Sequence, residues 1–474
     1  MSCKWPQKPL GELLELVIDH RGKTPKKMGF SDFHSEGHPV LSAKHVKTDV
    51  LVNVEAIRFA NEQMYQKWMK VDVQEGDVVL TSEAPIGEVY YLDGNVKYVL
   101  GQRVFGLRPK KEEIHPLYLT AWLTSLRGQE QLAARASGST VLGIKQSELL
   151  KIEVDLPPYE IQEQIAKVRY DFTKKIAINT QTNQTLEQIA QAIFKSWFVD
   201  FEPVRAKMAV LETGGTAEQA ELAAMSAISA KDEDALKQLQ AEQPEVYAEL
   251  VQTAALFPSA MEESELGEIP EGWEAKPLGE YLTIKRGGSP RPIKNFVVPE
   301  GYPWTKIADA TANDSPYIFV TKEFIKEEGL KKTVYLKRGA LILSNSATPG
   351  LPRFLELDAC IHDGWLHFPE KKHFTDSYLY HLFLHIRRHL VSQGNGSVFT
   401  NLKTDILRNQ VVLVPPKELV GVYEKYASKL LETVKRKSIE NNQLVQIRDT
   451  LLPKLLSGEI ELTQDHVTPN EASA

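Results

Sequence analysis

The hydrophobic residues of this chain form short clusters that predict strands and helices, and the same set of elements is predicted twice. Apolar runs of strand length between Gly, Pro and Asp turns lie at residues 76–82, 89–92 and 99–107, and again at 339–343, 353–357 and 366–368. A helical pattern accompanies each group, at residues 116–126 and 377–390. Both halves of the chain therefore predict a compact unit that mixes strands with helix.

A second hydrophobic pattern follows each compact unit. Apolar residues spaced alternately four and three apart run through residues 159–197 and 417–455 for about five heptads, which is typical of the seam of a coiled coil. A Pro-Pro pair precedes each stretch, and proline is tolerated in the first turn of a helix. Asn183 and Asn441 fall in the middle of the seams, where a polar residue lowers stability but fixes the register. We therefore expect two long helices packed against each other.

The two halves also share short motifs. Leu10-Gly11-Glu12 matches Leu278-Gly279-Glu280, and Gly138-Ser139-Thr140 matches Gly396-Ser397-Val398. Such repetition indicates two diverged copies of one structural unit. The predicted fold class is α+β, with two pseudo-repeated globular domains joined by two long helices that pack as an antiparallel coiled coil.

These patterns divide the chain into six segments. They are a first globular domain (1–157), a first long helix (158–200), an acidic connector (201–270), a second globular domain (271–415), a second long helix (416–458) and a flexible tail (459–474). The connector is rich in Ala, Glu and Gln, so we expect it to be partly helical.

Composition and charge narrow the functional classes. Two cysteines exclude a disulfide framework and fit a reducing cytoplasm, and no stretch of the sequence is apolar enough to span a bilayer. The net charge of −7 is uneven: residues 201–270 hold fourteen Asp and Glu against four Lys and Arg, a net of −10, which leaves +3 for the remainder. A weakly basic remainder is compatible with DNA binding but does not by itself indicate it. We expect a soluble, cytoplasmic protein.

Two candidate chemical sites have a structural alternative. Residues 155–159 (Asp-Leu-Pro-Pro-Tyr) are similar to the Asp-Pro-Pro-Tyr loop of amino-methyltransferases, but Leu156 interrupts the motif and the second copy lacks both Asp and Tyr. A helix start is favoured there. His381, His385 and His389 share one face of a predicted helix, where a partly exposed face is favoured over a metal site because no carboxylate stands at ligand spacing. No phosphate-binding loop and no zinc spacing occurs in the sequence.

Together these features resemble the specificity subunit of type I restriction–modification systems over nearly the whole chain. The resemblance rests on two globular modules, each closed by a Gly-Ser-(Thr/Val) motif and a Pro-Pro pair, and on the two long helices. It also rests on the helix ends at residues 188–194 (Gln-Ile-Ala-Gln-Ala-Ile-Phe) and 451–458 (Leu-Leu-Pro-Lys-Leu-Leu-Ser-Gly).

The resemblance implies DNA recognition without catalysis. Each module, a target-recognition domain, would read one half of a split, asymmetric target in double-stranded DNA, and the helices would set the distance between the halves. Two methylating subunits would dock on the helices, and motor-nuclease subunits would complete a restriction complex. S-adenosylmethionine, ATP and magnesium would belong to those partners, so no cofactor or metal is expected on this chain. The alternative from another class is a coiled-coil scaffold whose globular ends bind protein partners.

Reading a duplex requires side chains at base edges in the major groove, such as Arg or Lys with guanine and Asn or Gln with adenine. Polar residues on predicted loops are the candidates, and each of them could instead contact a phosphate. In the first module they are Arg21, Lys23, Thr24, Lys44, His45, Thr81, Ser82, Gln102, Arg103, Ser139, Thr140 and Lys145. In the second they are Lys285, Arg286, Ser289, Arg291, Lys306, Ser344, Asn345, Ser346, His362, Ser397, Asn401 and Lys403.

Apolar residues outside the helix seam predict the surface to which the methylating subunits bind, because exposed apolar patches usually mark interaction sites. These residues are Phe194, Phe198, Phe201, Leu431, Leu452 and Leu456. The alternative is that Phe198 and Phe201 pack under their own modules.

Exchanging residues 1–157 for the corresponding module of a related protein is expected to change one half of the target and to leave the other half and the gap unchanged. The reason is that each module ends at its own Pro-Pro helix start. Sequencing of methylated DNA from cells that carry the chimera and its partner subunits measures this. A change in both halves would show that the modules share recognition.

Overall fold

The computed structural model describes residues 4–138, 141–392 and 401–462. The chain forms two compact units. Unit one combines the residues up to Asn179 with those from Glu440 onward, and unit two is Thr180–Ile439. Each long helix therefore contributes one part to each unit, whereas the sequence predicted the helices as separate segments. The predicted domain boundaries stay a prediction.

Unit one holds two sheets, a hairpin and a two-stranded ribbon. Its strands are β1 (Gln7–Pro9), β2 (Leu14–Asp19), β3 (His38–Leu41), β4 (Val46–Lys47), β5 (Val50–Leu51), β6 (Phe59–Ala60), β7 (Val78–Ser82), β8 (Ile86–Tyr91), β9 (Val99–Leu100), β10 (Val104–Pro109) and β11 (Glu153–Asp155). Its helices are α1 (Leu10–Leu13), α2 (Glu62–Trp68), α3 (Pro116–Thr124), α4 (Leu126–Ala134), α5 (Gln146–Leu149) and the first part of α6 (Tyr159–Phe198), with 3-10 turns at Lys26–Met28 and Val54–Ala56.

The strands from β1 to β11 form a self-contained globular part, module one. Its antiparallel sheet has the order β2–β10–β7–β8, and its second sheet has the order β6–β3–β9, in which β3 and β9 run parallel. Strands β4 and β5 form the hairpin. The first strand pairs with the last, with Gln7 opposite Asp155. Helix α6 then begins at Tyr159, directly after Pro157-Pro158, so the predicted helix start is confirmed.

The central strand β7 is buried on both faces, which explains its continuous apolar sequence. Successive side chains of a strand point to opposite faces. Val78 and Leu80 accordingly face a core that contains Trp122 of α3, whereas Val79 faces a second core that contains Trp68 of α2. The sheet is held between two hydrophobic cores.

A buried ion pair lies at the start of β7. Asp77 is fully buried and accepts hydrogen bonds from Arg108 of β10, from Nε at 2.9 Å and from Nη2 at 2.8 Å. Arg108 Nη2 also donates to the backbone carbonyl of Asp72 at 2.8 Å. The hydrogen bonds and charge of Asp77 raise the pKa of Arg108 above its ordinary value, against the opposing effect of burial.

Unit two begins with the second part of α6 and continues with the connector helices α7 (Glu202–Glu212), α8 (Ala217–Ser229), α9 (Glu233–Glu242) and α10 (Pro244–Ala255). Its strands are β12 (Met261–Ser264), β13 (Gly267–Pro270), β14 (Glu274–Pro277), β15 (Leu282–Arg286), β16 (Val297–Val298), β17 (Tyr302–Thr305), β18 (Tyr317–Ile318), β19 (Phe324–Ile325), β20 (Val334–Leu336), β21 (Leu341–Ser344), β22 (Pro352–Leu355), β23 (Ala359–Ile361), β24 (Trp365–Lys371) and β25 (Val411–Val414). The remaining helices are α11 (Ile307–Ala310), α12 (Asp376–Ser392), α13 (Thr404–Asn409) and α14 (Lys417–Ser457), with 3-10 turns at Leu278–Glu280, Ile293–Asn295 and Glu327–Lys332.

The strands from β14 to β25 form module two, which repeats the plan of module one. The sheet order β15–β24–β21–β22–β18 corresponds to β2–β10–β7–β8 with one added edge strand. Strand β17 runs parallel to β23 as β3 does to β9, and β14 pairs with β25 as β1 does with β11. The prediction of two pseudo-repeated α+β domains is confirmed.

The long helices α6 and α14 pair antiparallel within unit one. Asn179 Nδ2 of α6 donates to Asn441 Oδ1 of α14 at 3.0 Å. Ile165, nearer the start of α6, shares a hydrophobic core with Leu455, nearer the end of α14. The polar position predicted for this seam is therefore filled by a hydrogen-bonded pair of Asn side chains.

The same two helices also pair antiparallel within unit two. Asn183 Nδ2 donates to Ser438 Oγ at 3.1 Å, and the Tyr423 hydroxyl donates to the carbonyl of Ala190 at 3.3 Å. Helix α14 begins directly after Pro415-Pro416, as predicted. The prediction of an antiparallel helix pair is confirmed in both units.

The six apolar residues predicted as an exposed partner surface are instead buried: Phe194, Phe198, Phe201, Leu431, Leu452 and Leu456. In unit two, the ring of Phe198 lies 5.0 Å from that of Tyr378 and 6.1 Å from that of Trp273 between centroids. In unit one, Leu452 and Leu456 belong to the core that α3 covers. The prediction is wrong because the helix faces outside the seam pack against the modules and are covered by them.

The acidic connector is largely helical. Helices α8, α9 and α10 share a small core that includes Ala224, Leu236 and Leu250. Lys207 of α7 is buried, and its Nζ donates to Glu221 Oε1 at 2.6 Å and to the carbonyl of Phe257 at 2.8 Å. The connector is thus a folded part of unit two.

Asp77→Ala is expected to lower the free energy of unfolding by about 3–5 kcal/mol, because it leaves Arg108 as an uncompensated buried charge. Denaturant unfolding of the full chain, followed by tryptophan fluorescence, measures this through the adjacent cores. Asp93→Ala, which changes an exposed carboxylate of the same module, serves as the control and is expected to stay within about 0.5 kcal/mol of the parent. Equal stability of the two variants would contradict the role given to Asp77.

Candidate nucleic-acid interface

Three loops of module one meet at one cleft. They follow β2, β3 and β9, and the carboxyl ends of β3 and β9 lie at the same edge because these strands are parallel. The cleft has a volume of about 570 Å³. Six of the predicted DNA-contacting residues line it: Lys23, Thr24, Lys44, His45, Gln102 and Arg103.

The cleft is positively charged. Its described lining includes one carboxylate, Asp32, and five cations: Lys23, Lys26, Lys44, Arg58 and Arg103. Arg58 Nη1 lies 3.9 Å from Asp32 Oδ1, and its guanidinium lies 4.2 Å from the ring centroid of Phe33. An excess of cations on a concave surface favours binding of phosphates, since each neutralised phosphate releases condensed counterions.

Gln102 and Arg103 are exposed at the mouth of this cleft. The preceding Gly101 donates its backbone N–H to the carbonyl of Leu41 at 2.7 Å, and a Cβ there would lie 2.9 Å from that oxygen. Arg103 has a φ of 67°, which is uncommon for a residue with a side chain, and its carbonyl accepts from the N–H of Ser82 at 2.8 Å. The backbone is therefore fixed while two long polar side chains point outward. Arg103 Nε lies 3.0 Å from Glu83 Oε1.

Burial lowers the pKa values of two residues inside the cleft. Burial, together with the charge of Lys70, lowers the pKa of Lys23, whose Nζ donates to the carbonyl of Trp68 at 2.6 Å. Burial also lowers the pKa of His45, helped by the charge of Lys44, so His45 is uncharged at neutral pH. His45 Nδ1 accepts from the N–H of Ser42 at 3.2 Å. His45 therefore shapes the wall of the cleft, while Lys44 supplies exposed charge.

Of three further residues predicted for the surface of module one, Arg21 forms an ion pair and the other two are buried. The guanidinium of Arg21 donates to Asp19 from Nε at 2.9 Å and from Nη2 at 2.8 Å, and Nη1 donates to the carbonyl of Ile144 at 3.1 Å. Thr81 and Ser82 are buried within β7. The prediction is wrong for Thr81 and Ser82, because a buried strand rather than a loop contains them. Arg21 lies in the turn after β2 and is partly exposed, so its role stays a prediction.

The other candidates of module one lie elsewhere. Lys145 is exposed at the start of α5 and is not part of the cleft lining. Ser139 and Thr140 lie outside the described residues, so their predicted role stays a prediction.

Module two gathers its equivalent residues around Asp363, in the loop between β23 and β24. Ser289 Oγ donates to Asp363 Oδ1 at 2.6 Å, Arg291 Nη2 donates to Oδ2 at 3.3 Å, and Arg286 Nε donates to the backbone carbonyl. Burial opposes ionisation of Asp363, but the Ser289 hydrogen bond and the charges of His362, Arg291 and Arg286 hold its pKa below the ordinary value. The ionised carboxylate thus orients Arg291, which is largely exposed, while the backbone carbonyl of the same residue holds Arg286.

His362 and Lys306 lie beside this cluster. Burial lowers the pKa of His362, and its Nε2 accepts from the N–H of Ile307 at 3.2 Å. Lys306 pairs with Glu323, and its Nζ lies 5.1 Å from the centroid of Trp304. The structure therefore brings together five of the predicted residues of module two: Arg286, Ser289, Arg291, Lys306 and His362.

Other candidates of module two are not brought to this cluster as surface groups. Ser344 and Asn345 are buried, because Ser344 ends β21 and Asn345 follows it directly, so their prediction as surface contacts is wrong. Ser346 is partly buried in the same loop. Exposed residues are Lys285, Asn401 and Lys403. Ser397 lies outside the described residues.

Three residues of these sites were missed by the sequence analysis. Lys26 lines the cleft, and the repeat could have revealed it, because it follows Thr24-Pro25 as Arg291 follows Ser289-Pro290. Asp363 is the neighbour of a predicted residue. Arg58 had no local signal, since only the fold brings it to the cleft.

Asp155 and His381, which belong to the two candidate chemical sites considered from the sequence, both make contacts within the fold. Asp155 is buried and accepts from Gln7 Nε2 at 2.9 Å and from Trp122 Nε1 at 3.0 Å. His381 is buried rather than partly exposed, with Nδ1 2.8 Å from the Tyr423 hydroxyl, and burial lowers its pKa to about 4.

Among residues 4–138, 141–392 and 401–462, no cluster of three His, Cys, Asp or Glu side chains could hold a metal ion. Within the same residues, no helix combines the length and apolarity needed to cross a membrane.

Both modules match one protein family. The family model described as the type I restriction modification DNA specificity domain matches residues 3–188 and 270–449. The chain is 32% identical over 415 residues to the specificity subunit of the type I restriction enzyme HindI from Haemophilus influenzae, covering 82% of this chain and 88% of that protein. It is 24% identical to the MjaIX specificity subunit from Methanocaldococcus jannaschii, covering 82% and 79%.

A solved structure shares the fold. The S subunit of a type I restriction-modification system from M. genitalium matches with a TM-score of 0.54 at 15% identity and covers 97% of both chains. The two-module architecture with paired long helices is therefore the fold of a known class of protein.

Arg103→Ala is expected to weaken binding of the cognate duplex by about 1–3 kcal/mol and to relax the preference at one base pair in one half of the target, because it removes a donor fork at the cleft mouth. Titration of the assembled complex with duplexes that carry single base changes measures this. Lys97→Ala, which removes an exposed cation of the same module outside the cleft lining, should leave base preferences unchanged. Equal weakening on all sequences would assign Arg103 to a phosphate instead.

Proposed function

This chain belongs to the type I restriction–modification DNA specificity family, and we propose that its modules bind double-stranded DNA and read the two halves of one split, asymmetric target. Module one uses the cationic cleft, and module two uses the loops around Asp363. In each, exposed Arg, Lys and Gln side chains contact base edges, and the remaining cations contact phosphates.

The cleft of module one is the observation that carries this proposal. Five cations line it against one carboxylate, although the whole chain is acidic at −7. Gln102 and Arg103 extend from a rigid backbone at its mouth, and these are the residue types that pair with adenine and guanine. A scaffold that binds proteins gives no reason for such a cleft.

We propose further that the chain is the non-catalytic subunit of a cytoplasmic complex. Adenine methylation, ATP-driven translocation and cleavage are assigned to partner subunits, together with S-adenosylmethionine, ATP and magnesium. The Asp155 motif supports this assignment, because hydrogen bonds within module one engage both oxygens of its carboxylate.

Two methylating subunits are proposed to dock on the helix pair. The six apolar residues first considered are buried, so the contact needs others. Ile189 in unit two and Ile447 in unit one occupy matching positions of the repeat, Gln188-Ile189 and Gln446-Ile447, and both are exposed, at 44% and 51%. Two equivalent exposed apolar positions suit two copies of one partner.

Co-expression of the chain with its methylating subunit is expected to produce DNA that is methylated at two short, different motifs separated by a fixed gap. Sequencing that detects methylated adenine measures this in cells and with purified complex. The variant Lys44→Ala should weaken duplex binding and reduce its salt dependence by about one released counterion, whereas Lys97→Ala should not. Methylation without a bipartite pattern, or methylation by this chain alone, would refute the proposed function.

A further inference from the structure

The turn that joins β4 to β5 in module one contains a residue in the left-handed backbone region. Asp49, at its tip, has a φ of 67°, and its backbone N–H donates to the carbonyl of Val89 at 3.0 Å. Aspartate adopts this left-handed conformation more readily than most residues with a side chain, and it is a common residue of tight turns.

The carboxylate of Asp49 lies between the two long helices. It forms an ion pair with Arg169 of α6, and its Oδ2 lies 3.5 Å from Nη1 of Arg448 of α14. The side chain of Arg169 is only 4% exposed and that of Asp49 only 13%. One carboxylate of the module therefore holds a cation from each helix, in a place where water screens the charges little.

The same hairpin is continuous with the DNA-reading cleft. The backbone N–H of Val52 donates to the carbonyl of His45 at 2.8 Å, and Asn53 Nδ2 donates to the carbonyl of Lys44 at 3.0 Å. Lys44 and His45 line the cleft. Asp49 and the cleft wall are thus two ends of one short, hydrogen-bonded segment.

The neighbouring strand holds this segment from the side. Glu88 of β8 accepts hydrogen bonds from the backbone N–H and the hydroxyl of Thr48, both at 2.8 Å, and pairs with Lys47 at 2.8 Å. The segment that links Asp49 to the cleft wall is therefore held both by its own hydrogen bonds and by β8.

In unit two the same two helices pair without arginines at the corresponding positions, so the arginines are not needed for helix pairing. In the repeat, Arg169 corresponds to Ala427 and Arg448 corresponds to Ala190. Both alanines are buried in unit two, at 1% exposure, where α6 and α14 pair without cations at these positions. The two arginines are therefore specific to the contact with module one.

We propose that Asp49 is a positioning residue for DNA recognition: by binding Arg169 and Arg448, it fixes the cleft of module one on its helix segments and thereby restricts the gap between half-sites that the protein accepts. The proposal rests on the function proposed above. It assigns no base contact to Asp49. Loss of the carboxylate lets the cleft shift on the helices while the side chains that read bases stay the same.

The test uses the full complex with methylating subunits, S-adenosylmethionine and duplexes whose two half-sites are separated by the native gap or by one base pair more or less. Asp49→Asn is expected to reduce discrimination against the wrong gaps by about tenfold, a change of 1.4 kcal/mol. The bases required within each half-site are expected to stay unchanged. Asp449→Asn is the matched control, because Asp449 lies 2.9 Å from Arg448 but is exposed and is not part of module one.

A second variant separates positioning from folding, because Asp49→Asn leaves Arg169 buried without its counter-charge. The triple variant Asp49→Asn/Arg169→Ala/Arg448→Ala removes all three charges and places alanine where unit two already has it. Its thermal unfolding and its assembly with the methylating subunit are measured beside its gap preference. Relaxed gap discrimination in this folded and assembled variant supports the proposal.

Three other results would overturn the proposal. Unchanged discrimination in the triple variant would leave Asp49 without a positioning role. Altered base requirements in one half-site would show that Asp49 shapes the reading surface itself, and failure to assemble would assign the cluster to partner docking. A parent complex that shows no bipartite target would refute the proposed function instead, so the two failures are distinguishable.

Discussion

Pairing between the first and the last strand of each module is the interaction on which the rest of the structure depends. Gln7 lies opposite Asp155 and Glu274 lies opposite Val414, so the chain enters and leaves each module at one place, beside the Pro-Pro pair that precedes a long helix. Each module is therefore closed before its helix begins. The hydrophobic cores follow the same division, since each core contains residues of one unit only.

Charge is distributed unevenly over this protein, so its net charge does not describe the separate surfaces. The acidic connector accounts for the negative balance, and it is folded into helices of unit two. Three loops and Arg58, which precedes β6, bring the cations of module one together on a concave surface in unit one. Burial acts within that cleft as well, because it keeps His45 neutral while Lys44 remains exposed.

The sequence predicted the repeated elements and the helix starts well, because apolar runs, heptad spacing and Pro-Pro pairs are local signals. It predicted one strand over residues 99–107, whereas the structure breaks it at 101–103, since Gly101 packs against Leu41 and Arg103 turns the chain. That break forms part of the cleft. Heptad spacing identified the seam but not what covers the other faces, so the burial of Phe198 was not predictable. Thr81 was predicted to lie on a loop because it is polar, but it is buried in a strand, and polarity alone does not distinguish the two environments.

The separation between the buried framework and the exposed ends of its loops has a consequence for how such a protein can diverge. Gln102 and Arg103 are exposed and contribute little to the cores, so substitutions there are expected to cost little in folding, and under the proposed function they would change what is recognised. The Asp77–Arg108 pair and the two faces of β7 leave no such freedom. Mutation can therefore explore new recognition properties along a few exposed positions while the architecture persists, and two descendants of one ancestor can keep a common shape after their binding preferences no longer overlap.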